Sequence, residues 1–168
     1  EHMNYISRYY YPVILRDAFR GGESSETLSP SAVAVTFDDG YQDIYTQVID
    51  IVKGLKIPIT VFLTTGCIGE QGALWTDSLY YYFKEKGKIN EFYSFKENLK
   101  EMENGLRRKE IDGLQPTHMP RLMLDWDEVR ALAKEPFVEI GSHSQSHPVF
   151  TRLNREEIEK EVVEAKKE

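Results

Sequence analysis

Cysteine is almost absent from this chain. Cys67 is the only one, so no internal disulfide can form. A lone thiol leaves the compartment open, because reduced cytosolic proteins and disulfide-free exported ones share it. Positive charge is also scarce: 21 Lys and Arg stand against 28 Asp and Glu, for a net charge of -7. That balance argues against a nucleic-acid-binding surface. No apolar run approaches the ~18 residues of a membrane span, and no basic-then-apolar leader opens the chain. Neither a glycine-rich phosphate loop nor an HExxH helix occurs. Histidine is sparse, with four in 168 residues. What is present suffices for a packed core: 40% of residues are hydrophobic, which is too apolar for a disordered chain, and the length fits about one domain.

The opening EHM, residues 1–3, reads as a cloning remnant, leaving a domain over 4–168. The absence of a leader is then uninformative about export. A short strand is expected around Val13–Leu15, then a short helix ended by Gly21-Gly22 and a polar loop, ESSETLSPS. AVAVTF is continuously apolar, the pattern of a parallel strand covered on both faces. Ile44, Val48, Ile51, Val52 and Leu55 mark one face of a helix, with Gly54 and Pro58 at its end. ITVFLTTG is a second buried strand, which completes a βαβ unit with a right-handed crossover.

Residues 68–121 read as a helical insertion, with helices near 76–86, 94–103 and 107–112. Its charged part is expected to be a solvated face. Asp125 with Glu128, and Asn154 with Glu157, have the spacing of capping boxes that start two later helices. FVEIGSHS between them is a third core strand, and Ile158, Val162 and Ala165 form the apolar stripe of the last helix. The alternation means an α/β fold with mostly parallel strands. A buried-type strand left at the sheet edge would favour self-association.

Active sites in such folds gather at the carboxyl ends of parallel strands. Two strand ends here carry unusual side chains: FDDG, with Asp38 and Asp39, and GSHSQSH, with His143 and His147. Successive strand side chains point to opposite faces, so the two carboxylates need not share a direction. One can bind a metal while the other faces water. Gly40 frees the backbone to turn. Histidines four apart meet at one point on a helical turn or in a tight loop before Pro148. Two imidazoles and one carboxylate leave coordination positions open, as catalytic divalent-metal sites require. Alone, DDG is commonly a turn and HxxxH a solvated pair; together, on two strand ends, they make a site. His118, in PTHMP, has no acidic partner nearby and reads as structural, and Cys67 as a small buried residue.

TFDDG followed by GSHSQSH resembles the polysaccharide deacetylases with the NodB homology domain. SPSAVAVTFDDGYQD, IPITVFLTTG and the stretch LMLDWDEV to EEIEKEV extend the likeness over most of 12–67 and 121–168. The resemblance implies a distorted, TIM-barrel-like (β/α) barrel of about seven strands. It implies a metal-dependent hydrolase that removes acetyl groups from an acetylated polysaccharide or an N-acetylglucosamine-containing glycan. Carried over by position, Asp38 is the general base. Asp39, His143 and His147 hold a divalent ion, zinc by default, with cobalt, nickel, manganese or iron also suited. Ser144 braces the loop. The family places an arginine, a tyrosine and an acid histidine after the second motif, and this chain stops at Glu168. The expectation is an N-terminal portion of a deacetylase domain, an incomplete barrel that binds metal with little or no activity. The family favours an extracellular or cell-envelope location, the cytoplasm being the alternative. A non-catalytic glycan-binding or assembly module with the same fold is the competing reading. A non-haem iron oxygenase is a third; its carboxylate would fall two residues after His143, where Gln145 stands.

Overall fold

The computed structural model describes residues 1–20, 29–69 and 72–167. The chain begins with α1 (His2–Tyr9), whose Met3 and Ile6 pack on the main core. Met3, one of the three residues set aside at the start, therefore packs with the folded unit. The first strand, β1 (Tyr11–Val13), lies two residues earlier than expected, and Leu15 instead starts α2 (Leu15–Arg20). The reason is pairing: Tyr11, Pro12 and Val13 stand opposite Ala32, Val33 and Ala34. The expected Gly21-Gly22 stop and most of the polar loop lie outside the described residues.

AVAVTF forms β2 (Ala32–Phe37) and ITVFL forms β3 (Ile59–Leu63). The third core strand, β4 (Val138–Ser142), pairs with β3 from Ile59↔Val138 to Leu63↔Ser142. These four strands pair in parallel in the order β1-β2-β3-β4. Together they make an open half-barrel of four strands. β3 is buried along nearly its whole length, but β2 is not covered on both faces: Val35 is buried while Thr36 is exposed. The helical layer covers the face of Val35, Ile59, Val61 and Leu63, whose core also takes in Leu124, Val129 and Leu132. On the other face Phe62 lies over Gly141, where a Cβ would come within 2.6 Å of the ring. That close approach explains a glycine inside a strand.

Between β2 and β3 the helix does not run as a single α-helix. It starts as a π-helical turn (Ile44–Val48) and continues as α3 (Ile49–Leu55). The wider turn rotates the residues after it, so Ile49 packs on the core and Ile51 is half exposed, contrary to the expected stripe. Gly54 lies inside α3; the left-handed cap is Lys56, at φ 55°.

The insertion forms α4 (Trp75–Glu85), α5 (Ile89–Glu101) and α6 (Asn104–Ile111). Leu79, Phe83, Phe92 and Leu99 give it a small core of its own. Its charged part is not wholly solvated. Arg107 is only 3% exposed, with its guanidinium 5.4 Å from the Trp75 ring and donating to Asn104 at 2.6 Å.

Both capping boxes are present. Asp125 starts α7 (Trp126–Leu132) and Asn154 starts α8 (Arg155–Ala165). Arg121 reinforces the first box by donating to Asp125 at 2.9 Å and to Glu128. Asp125→Ala is expected to cost about 1 kcal/mol, the usual worth of an N-cap, read as a lower urea midpoint. On α8 the expected apolar stripe is broken: Ala165 is buried, but Val162 is 53% exposed, and the charged Glu161 is buried in its place. Among the described residues no helix is long and apolar enough to cross a membrane.

Candidate metal centre

Asp38 and Asp39 leave β2 at the rim where β3 and β4 also end. The backbone turns there through left-handed conformations, Asp39 at φ 72° and Gly40 at φ 88°. Asp is one of the few residues that tolerate this region. The turn is tied on two sides. The Thr64 amide donates to the Asp39 carbonyl at 3.1 Å, and the Leu124 amide to the Gly40 carbonyl at 2.9 Å. A single antiparallel bridge, Tyr41↔Met123, continues the second tie. Asp38 is left exposed and Asp39 half-buried.

The histidines come from the loop after β4. His143 extends the strand ladder by donating its amide to the Leu63 carbonyl at 2.7 Å. The chain then folds back through Ser144 at φ 72° and His147 at φ 53°. Ser144 Oγ accepts the His147 amide at 3.2 Å inside this loop. The imidazoles end up stacked, with centroids 5.4 Å apart.

Asp39 Oδ1 lies 3.4 Å from His147 Nε2 and 3.6 Å from His143 Nε2. Among the described residues these three are the one His/Cys/Asp/Glu group close enough to share an ion, all donor atoms lying within 4.8 Å of one another. Asp39 Oδ1 is buried and accepts no hydrogen bond. Leaving such an oxygen unpaired costs roughly 1–3 kcal/mol. The two contacts are long for hydrogen bonds, and the three donor atoms are close enough together to share one divalent ion. The donor set thus fits a divalent ion of the zinc type. His147 Nδ1 is also buried without a partner. Asp38 is not in this group, and Gln145 is turned away, its Oε1 accepting from Thr65 Oγ1 at 2.8 Å.

A cleft of about 400 Å³ opens beside the imidazoles, walled by His143, His147, Pro148, Phe150 and Val162. A larger groove, about 540 Å³, runs along β4 between α7 and α8 and holds neither imidazole. His118 is exposed, its amide held by Glu85, and takes no part in the centre. Burial pushes the Cys67 thiol up to about 11, so it stays protonated at neutral pH and offers no thiolate.

Several neighbours of the centre gave little signal in the sequence. Trp75 Nε1 donates to the His147 carbonyl at 3.0 Å, and Tyr41 Oη to Asp77 Oδ2 at 3.0 Å. Burial chiefly raises both the Asp77 carboxyl and the Tyr41 phenol above their ordinary values, and the Asp39 charge adds to each. The buried Glu161 accepts from the loop between the histidines. Only a tryptophan opening the insertion and a glutamate among apolar helix positions marked them in advance.

Solved structures share this architecture. The chain aligns with the Streptococcus pyogenes deacetylase PplD, in complex with acetate, at a TM-score of 0.59 and 15% identity, over 98% of this chain and 52% of that one. The deacetylase domain of BpsB from Bordetella bronchiseptica aligns at 0.50 and 19% identity, over 87% of this chain and 42% of that one. This chain therefore spans about half the length of these structures. At such identities the likeness is one of fold. A search of the curated proteins returned no match. The polysaccharide deacetylase family profile matches residues 25–168, a stretch that takes in both strand-end motifs, and the chain belongs to that family.

Proposed function

We propose that this chain carries the metal-binding half of a hydrolase that removes acetyl groups from a glycan. The observation that carries the reading is the convergence of Asp39, His143 and His147 around an otherwise unpaired carboxylate oxygen. Family membership supports it, and acetate, bound in the PplD structure, is the acid such a reaction releases. Asp39 Oδ1 and the two Nε2 atoms would hold the ion. When bound there, a zinc-type ion polarises a carbonyl and makes water easier to deprotonate.

The rest is the work of side chains. Asp38, exposed and outside the metal set, takes a proton from water as the water oxygen attacks the acetyl carbon. The tetrahedral carbon then collapses, the bond to the sugar substituent breaks, and that leaving group gains the proton that Asp38 took. The cleft beside the imidazoles has room for an acetylated sugar ring. Among the described residues β4 ends the sheet, and its edge is where a further strand would add.

The test is a zinc titration paired with acetate release from an acetylated glucosamine oligomer. One ion per chain is expected. Asp38→Asn should keep that site, and whatever acetate release the wild type gives should fall ~10²–10⁴-fold, the usual contribution of a general base. A folded wild-type chain that takes up no divalent ion overturns the reading.

A further inference from the structure

Glu161 is a costly residue to bury. It lies on α8 at a position that faces the protein, 7% exposed, where an apolar side chain would be the ordinary choice. Its carboxylate is fully engaged by one short segment. Oε2 accepts the Gln145 amide at 3.1 Å and the Ser146 amide at 2.8 Å, and Oε1 accepts Ser146 Oγ at 2.6 Å. Arg108, from the insertion, approaches Oε1 at 3.7 Å. The segment held is the span between His143 and His147.

That span is also held from the opposite side. The Thr65 and Gly66 amides donate to the Ser144 and Gln145 carbonyls at 3.1 and 2.8 Å. At the far end Trp75 Nε1 donates to the His147 carbonyl, and Arg107 packs on the Trp75 ring. Two residues of the span, Ser144 and His147, are left-handed without being glycine. Such conformations persist only when the surroundings over-determine them.

We propose that Glu161, assisted by Trp75, is a positioning residue that locks the 143–147 loop so that both Nε2 atoms face Asp39. The carboxylate matters because its bonds to two successive amides and a hydroxyl are charge-assisted, and a neutral side-chain amide would make weaker ones. This rests on the reading of Asp39, His143 and His147 as the metal set. The insertion thereby acts on the metal centre through Trp75 and Arg108, without supplying a ligand.

The experiment compares wild type with Glu161→Gln, using Co²⁺ as the probe. In metal-free protein, Glu161→Gln should speed hydrogen exchange at the Gln145 and Ser146 amides, with the β3 amides unchanged. With Co²⁺ it should weaken binding ~10–100-fold, the usual effect of a change in outer-shell support, and alter the visible ligand-field spectrum. Trp75→Phe keeps an aromatic ring beside Arg107 and removes the N–H together with part of the ring area; it should act in the same direction on Co²⁺ affinity and spectrum. It carries the comparison if Glu161→Gln does not fold. Unchanged exchange at Gln145 and Ser146 overturns the lock. So does wild-type Co²⁺ affinity and spectrum in a folded Glu161→Gln or Trp75→Phe protein. If the wild type takes no Co²⁺, the metal set itself falls, and the positioning role falls with it.

Discussion

Asp39→Asn is expected to weaken zinc binding by more than about a hundredfold, since outer-shell changes alone cost 10–100-fold. The physical interest lies in what happens without metal. Asp39 Oδ1 is buried and accepts no hydrogen bond, with imidazole nitrogens 3.4 and 3.6 Å away. An amide in place of the carboxylate removes a buried charge and adds an N–H that can donate to an imidazole nitrogen. Asn also tolerates the left-handed backbone at φ 72°. Metal-free Asp39→Asn should therefore be no less stable than wild type. The two proteins should part only when zinc is added. Zinc at 100 times its dissociation constant stabilises the wild type by about 2.7 kcal/mol and, at a hundredfold or greater loss of affinity, should stabilise Asp39→Asn by no more than about 0.4 kcal/mol. Thermal melts with and without zinc read both effects. A fully zinc-responsive Asp39→Asn would remove Asp39 from the metal set.

Gly40→Ala should destabilise the fold by about 2–5 kcal/mol. Gly40 sits at φ 88°, and a Cβ there would come within 2.9 Å of both Leu63 Cδ2 and Ile68 Cδ1. The left-handed backbone costs an L-residue about 1–2 kcal/mol, and overpacking about 1–3 kcal/mol. Leu63 cannot yield freely, because it is 2% exposed in the main core. The Gly40 carbonyl also anchors Leu124, so any shift reaches the neighbouring Asp39 turn. Gly54→Ala is the control. Gly54 lies inside α3 with nothing within 4 Å of an added Cβ, so the change should stabilise by up to about 1 kcal/mol. Urea midpoints of opposite sign would show that these glycines serve opposite purposes. A neutral Gly40→Ala would mean that the turn is looser than its packing implies.

Much of this protein is legible without coordinates, and the legible parts share a cause. The strands AVAVTF and ITVFL, the capping boxes at Asp125 and Asn154, and the motifs FDDG and GSHSQSH, each taken by itself, are local patterns. Periodicity, cap spacing and strand-end chemistry act within a few residues, so they survive in the sequence. What tertiary structure decided were the contacts between distant segments. A π-turn after Asp43 rotated Ile51 outward, which no period of 3.6 anticipates. Arg107 fell in the charged stretch expected to be solvated and Glu161 outside the expected apolar stripe, yet the first packs on Trp75 and the second holds the span between the histidines. Whether a carboxylate is buried depends on which amides the fold delivers to it, and those amides lie 15 and 16 residues away on another element. The sequence alone determined which side chains could form a centre; the convergence of Asp39 with two imidazoles from a left-handed loop was decided only by packing.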